Sequence, residues 1–114
     1  MTFEEIKPFK RDLKKLSKRF RTLPEDLEVV KKVLHVHPEA RPPFSYEISG
    51  LGLDNCIIKI RRMACRSLPG KGSNTGLRIV YAWFEKEKRI VFIEIFFKGD
   101  KENEDRERII AFFE

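Results

Sequence analysis

The sequence predicts one small α+β domain: a mostly antiparallel sheet with an N-terminal αα-hairpin on one face and a short C-terminal helix. Three observations predict it. From Asn55 to Lys98 the chain reads as three successive strands, N-C-I-I-K-I-R-R-M-A-C-R, L-R-I-V-Y-A-W-F and R-I-V-F-I-E-I-F-F-K, separated by turn-forming stretches. Ahead of them lie two stretches of helical periodicity, each opening on a proline, and behind them an acid-rich segment runs into an apolar end. With 114 residues, 41% of them hydrophobic and ten of them Phe, the chain 1–114 supports a single core and is not a disordered one.

Taken in order, Thr2 to Lys7 is an extended lead-in with Phe3 and Ile6 available for burial. Pro8 suits a first helical position because its missing N–H would be unsatisfied there anyway, and the helix runs to about Arg21. Phe9, Leu13, Leu16 and Phe20 make its apolar stripe. Pro24 opens a second helix with Glu25, Asp26 and Glu28 in its first turn, where acids complement the helix dipole. Leu27, Val30 and Leu34 form its inner stripe, and His37-Pro38 ends it, since the residue before proline avoids the α region. Arg21-Thr22-Leu23 is short enough to make the pair an antiparallel hairpin.

Glu39 to Leu53, with Pro42, Pro43, Gly50 and Gly52, is a connector holding a short strand at Phe44 to Ile48. Tyr46 within it is either a packing residue or an aromatic on which substrate stacks. In the first core strand, alternation places Cys56, Ile58, Ile60 and Ala64 on one face and Lys59, Arg61 and Met63 on the other, and sends Cys56 and Cys65 to opposite faces. Ser67 to Gly76 lacks the spacing and following helix of a phosphate loop, so it is a hairpin loop in which Lys71 can still touch phosphate. Glu85 to Lys88 is a polar hairpin tip. In the third strand Val91, Ile93, Ile95 and Phe97 share one face, with Phe92, Glu94, Phe96 and Lys98 on the other. Glu94 then needs either water or a cation beside it. Asp100 or Asn103 caps the final helix, which ends on Ile109, Ile110, Phe112 and Phe113.

Charge narrows the function classes. The net charge is +6, and seven cations, Lys10, Arg11, Lys14, Lys15, Lys18, Arg19 and Arg21, stand against Asp12 alone on the first helix. Such a face attracts nucleic acid, an anionic surface or an acidic protein. No apolar run is long enough to cross a bilayer and no secretory pattern opens the chain, so a cytoplasmic protein with no membrane role is expected. Two cysteines without a secretory context read as reduced structural thiols. His35 and His37, two residues apart, do not share a helix face, and no cluster supplies further ligands; no metal or cofactor is expected. The informative cations are on the sheet. Lys59 and Arg61 lie side by side, Arg78 opens the second strand and Lys98 closes the third, a surface suited to a polyanion.

The ordered set K-I-R, a basic glycine-containing loop, G-L-R-I-V-Y, a polar hairpin tip, E-I-F-F-K-G-D-K-E-N and a final I-I resembles the RelE/ParE superfamily of type II toxin–antitoxin toxins, in particular its RelE and HigB branches. The likeness spans about Phe9 to Phe112. It implies a RelE-like fold and a metal-independent mRNA endoribonuclease that acts on the ribosome and inhibits translation, by attack of a ribose 2′-hydroxyl on the adjacent phosphate. It also implies a cognate antitoxin protein that wraps the toxin. By position, the first-strand basic pair matches Lys59 and Arg61, the arginine of G-x-R matches Arg78, and the basic residue closing the last strand matches Lys98. Arg61 and Arg78 would stabilise phosphate charge and Lys59 or Lys98 move a proton. Glu94, Asp100 and Glu102 are alternative acceptors. Arg62, Arg66, Lys71 and Tyr81 would contact RNA. The chain departs from the pattern at Gly99, where the RelE branch commonly has a second arginine, and at Glu104 or Asp105, where it has a tyrosine. It also lacks the histidine that some HigB-like relatives place near the end. Two other readings stay open: a non-enzymatic, ParE-like poison of DNA gyrase, and an RNA-binding relative without strong activity.

Overall fold

A computed structural model describes residues 1–52 and 55–114. Eight elements follow one another: β1 (Thr2–Glu5), α1 (Lys7–Ser17), α2 (Leu23–Val36), β2 (Ser45–Glu47), β3 (Cys56–Ile60), β4 (Leu77–Phe84), β5 (Arg89–Phe97) and α3 (Arg106–Phe112). The five strands form one sheet in the order β1-β5-β4-β3-β2, antiparallel except where β1 runs parallel to β5. The expected lead-in is thus a true strand, Thr2 to Glu5 pairing with Arg89 to Phe92. The connector's last residue, Leu53, lies outside the described residues.

The two N-terminal helices cover one face of the sheet. Phe9 and Leu16 from the first, Phe20 from the turn after it, and Leu23, Leu27, Val30 and Leu34 from the second, pack on Ile58, Ile60, Leu77, Ile79, Tyr81, Ile90, Phe92 and Ile95. Phe9 and Phe92 stack with ring centroids 5.3 Å apart at the centre of this core. On the other face, Ile57, Val80, Ala82, Ile93 and Phe96 meet Ile109 of α3, with Phe84, Phe112 and Phe113 around them. Helix α1 ends at Ser17, short of the expected Arg21, and turns from Lys18 to Thr22 carry the chain into α2. Thr22 fixes that junction to the loop after β3: its N–H donates to Ser67 Oγ, and the Ser67 N–H donates to Thr22 Oγ1, both at 2.9 Å.

Three expectations from the sequence are corrected. The first core strand stops at Ile60, well before Arg66, because its edge partner β2 is only three residues long and the N–H groups of Arg61 and Arg62 both turn to the carbonyl of Phe44. Beyond that point the Thr75 hydroxyl donates to Met63 O in place of a ladder bond. Met63 and Cys65 therefore enter the main core, Ala64 is exposed, and Cys56 packs against that same core rather than on the face opposite Cys65. Both thiols are free. In β5 the register slips, with Val80 opposite Glu94 but Tyr81 opposite Phe92, which leaves Ile93 unpaired. This bulge flips the alternation midway, so Ile90, Phe92 and Ile95 face the α1/α2 layer while Ile93 faces α3 with Phe96. Finally, α3 is capped by Asp105, whose carboxylate accepts from Arg108 N, and not by Asp100 or Asn103. Among the described residues no helix is long and apolar enough to cross a membrane.

Candidate functional site

A single row of residues runs across the α3 side of the sheet, Tyr46 opposite Lys59, Lys59 opposite Val80 and Val80 opposite Glu94. One same-face step further along β4 stands Arg78, opposite Phe96. Phe96 is still buried on the α3 side, but at the Arg78 end of this second row the sheet loses its cover. There the exit of β3, the start of β4 and the end of β5 enclose an open cleft of about 340 Å³ lined by Pro43, Tyr46, Arg61, Arg62, Asn74, Gly76, Arg78 and Lys98.

Each wall of the cleft has a local cause. Gly76, at φ +85°, turns the chain into β4, and a Cβ on it would stand 3.1 Å from the Phe97 ring. The Lys98 N–H donates to Gly76 O at 2.8 Å, which ties the end of β5 to that turn. Arg61 follows the last residue of β3, and its guanidinium lies over the Tyr46 ring, 5.5 Å from the centroid. Arg78 Nη1 donates to Arg61 O at 2.9 Å and more weakly to Leu77 O, so backbone carbonyls hold the guanidinium in place. A guanidinium carries five N–H donors, and no described residue takes those on Nε and Nη2.

The electrostatics of the cleft are one-sided. Arg61, Arg62, Arg78 and Lys98 line it, and among the described residues none has a carboxylate within 4.0 Å. Burial, and next the charge of Arg61, hold the Arg78 guanidinium below its ordinary pKa. Crowding of like charge without an acid stores unfavourable energy that a bound anion relieves. The arrangement can grip a phosphodiester, with Arg78 offering a two-pronged donor.

Of the residues singled out in the sequence, Tyr46, Arg61, Arg62, Arg78 and Lys98 converge here and the other candidate site residues do not. Lys59 is turned under the C-terminal segment, with its ammonium 3.1 Å from the Glu104 carboxylate, whose side chain is 6% exposed. Burial acts to raise Glu104, but hydrogen bonds from its own N–H and from Lys59 outweigh burial and hold the carboxyl below its ordinary pKa. Glu94 is 2% exposed; it is paired with Lys101 and accepts from Asp105 N at 2.8 Å. That is the cation its face required, and it removes Glu94 from the cleft. Arg66 lies against α2, paired with Glu25 and Asp26. Lys71 sits on the exposed loop outside the lining, though its carbonyl accepts from Asn74 N and so supports the turn that presents Asn74. Tyr81 is a correction: it is fully buried and its hydroxyl donates to Pro38 O at 2.6 Å, so it offers RNA no surface. Of the alternative acceptors, Asp100 pairs with Arg19 at 2.7 Å, and neither it nor Glu102 lines the cleft.

Asn74 and Pro43 carry no signal in the sequence, because loop closure alone brings them to the cleft. Tyr46 did carry one, as the aromatic of the short connector strand that either packs or stacks substrate. Gly99 gains a reason: a Cβ there would lie 2.5 Å from the Phe97 ring, so glycine is what the packed ring allows.

No family model matches the chain, and no curated protein matches it in sequence. Solved structures do match in fold. A metal-bound toxin from Helicobacter pylori superposes with a TM-score of 0.60 at 22% identity, over 89% of this chain and 98% of that one. A conserved hypothetical protein from the same organism gives 0.57 at 24%, over 88% and 97%. The archaeal RelE–RelB complex from Pyrococcus horikoshii gives 0.54 at 18%, over 86% and 94%. The chain has the RelE-like fold along nearly its whole length.

Proposed function

We propose that this RelE-like chain is the toxin of a type II toxin–antitoxin pair and acts as a ribosome-dependent mRNA endoribonuclease that needs no metal. The observation that carries this reading is the acid-free convergence of Arg61, Arg62, Arg78 and Lys98 at the uncovered end of the sheet.

In the reaction the 2′-oxygen of one ribose forms a bond to the adjacent phosphorus as the bond to the 5′-oxygen breaks. The 2′-hydroxyl loses its proton and the departing 5′-oxygen gains one, leaving a cyclic phosphate and a 5′-hydroxyl. Negative charge accumulates on the non-bridging oxygens on the way. Donors fixed where that charge develops stabilise it more than they stabilise the substrate. Arg78, fixed by two carbonyls, and Arg61, fixed on Tyr46, are such donors. With Lys59 held by Glu104, Lys98 is the lysine left in the cleft to move a proton. Arginines stay charged, so they serve electrostatics rather than proton transfer.

An antitoxin partner belongs to the same reading, and an acidic amphipathic segment suits the surface. Lys10, Arg11, Lys14, Lys15, Lys18 and Arg21 pair with no acid among the described residues, leaving the outer face of α1 and of the turn after it uncompensated.

The test is primer-extension mapping of a reporter mRNA after brief induction of the protein, beside Arg78→Ala and a naked-RNA control. Cuts confined to translated codons, absent in the variant and on naked RNA, are expected. A soluble, folded protein that produces none overturns the nuclease.

A further inference from the structure

The cleft has one wall that phosphate chemistry leaves unexplained. Tyr46 is an aromatic side chain on an edge strand, 37% exposed, with its hydroxyl bonded to no described residue. It does not fill either core. Its ring carries the Arg61 guanidinium, and both line the cleft with Asn74, whose amide offers donors and an acceptor. A phosphate needs cations and N–H groups only. A π surface beside four unpaired cations is what a nucleobase needs, because bases stack on aromatic rings and on guanidinium planes.

We infer that the Tyr46–Arg61 pair is a stacking platform for one unstacked base, that Asn74 meets the edge of that base, and that the cleft therefore takes single-stranded RNA and rejects the duplex. The inference rests on the RNA-cleaving reading and sharpens it. The base lies on the platform while the adjoining phosphate meets the free donors of Arg78 and the ammonium of Lys98. A paired base has both faces covered by its neighbours and its edge engaged, so a duplex presents phosphates without anything for Tyr46 to hold. The row order across the sheet supports this geometry: Tyr46 is on β2, the outermost strand, where no further strand crowds the ring, and Arg78 lies inward of it on β4.

The test is fluorescence anisotropy with three labelled probes: a six-nucleotide 2′-O-methyl RNA, the same backbone with its bases removed, and a hairpin duplex of equal phosphate number. Each is titrated with wild type, Tyr46→Phe, Tyr46→Leu and Arg78→Ala, and circular dichroism confirms that every variant is folded. Wild type is expected to bind the base-bearing strand about tenfold more tightly than the abasic strand or the duplex. Tyr46→Leu lowers binding of the base-bearing strand about tenfold but that of the abasic strand, through the loosened Arg61, only slightly, and Tyr46→Phe keeps the advantage. Arg78→Ala weakens all three probes. Equal binding of base-bearing and abasic strands, or an equal loss on both in Tyr46→Leu, overturns the stacking platform while leaving a phosphate-binding cleft in place. Failure of every probe to bind wild type overturns the RNA reading of the cleft itself.

Discussion

Two regions of one sheet face, a few residues apart, handle charge in opposite ways. Under the C-terminal segment every charge that meets the sheet has a partner: Lys59 with Glu104, Glu94 with Lys101, and Arg108 with Asp12 at 2.6 Å. Arg108 also donates to the carbonyl of the bulged Ile93, and Asp12 accepts from Ile95 N, so that network mends the bulge where β1 no longer covers β5. At the uncovered end, Arg61, Arg62, Arg78 and Lys98 have no such partners among the described residues. Paired charges serve the fold, since a buried ion left alone is expensive. Cations left unpaired beside an open cleft serve a ligand, because the anion they lack is supplied from outside.

That contrast fixes how each region responds to substitution. The largest effect belongs to the open end: Arg78→Ala should slow RNA cleavage by about 100- to 1000-fold while the urea midpoint stays at the wild-type value. A large loss of stability would place Arg78 with the structural charges instead. Next comes Glu94→Leu under the C-terminal segment, expected to lower stability by about 2 kcal/mol because Asp105 N and Lys101 lose their acceptor. Activity per folded molecule should survive, as read by denaturant titration beside single-turnover assays.

The pH dependence follows the pairs. Glu104 has its folded pKa below the ordinary value, so its contribution is complete above the unfolded glutamate pKa and is lost as pH falls through the lower folded one. Stability measured from neutral pH downward should fall through that acid window, and Glu104→Gln should flatten the fall; an unchanged slope would mean that the Lys59 pair contributes nothing. The smallest effect is expected at Gly99→Ala, about 1 kcal/mol, because the Phe97 ring must rotate away from the new methyl. Since Phe97 also packs on Gly76 at the cleft, a modest loss of RNA affinity should accompany it. Cys56 offers a chemical check on the structural side: burial, and then the Glu47 carboxylate, push its thiol up to about 11, so iodoacetamide at neutral pH should label it far more slowly than a free thiol.

Much of this was legible in the sequence. The two prolines placed the helices, the turn residues placed the β4–β5 hairpin, and Arg78 and Lys98 marked two of the strand ends that form the cleft, while Arg61 was read within a strand that in fact stops just before it. Alternation misled wherever the ladder was interrupted. It could not foresee that a three-residue β2 would let Arg61 and Arg62 turn away at Phe44, nor that Ile93 would bulge. Both events depend on backbone hydrogen bonds to distant segments. Tyr81 and Arg78 belong to one motif, yet in β4 odd positions enter the main core and even ones face the other side, so the motif mixes a core residue with a cleft residue. Lys59 was placed on the right face, but its removal from the cleft depends on Glu104, 45 residues away.

The most direct measurement of the contrast is the salt dependence of binding to the single-stranded probe, taken as the slope of log affinity against log salt concentration. Each phosphate-contacting cation contributes about 0.7 to that slope on a single strand. Arg61→Ala, Arg78→Ala and Lys98→Ala should each reduce it by about that amount, and Lys59→Ala and Lys101→Ala should leave it unchanged. A slope lowered as much by Lys59→Ala as by Arg78→Ala would show that the paired region also meets the polyanion, and would contradict the division between them.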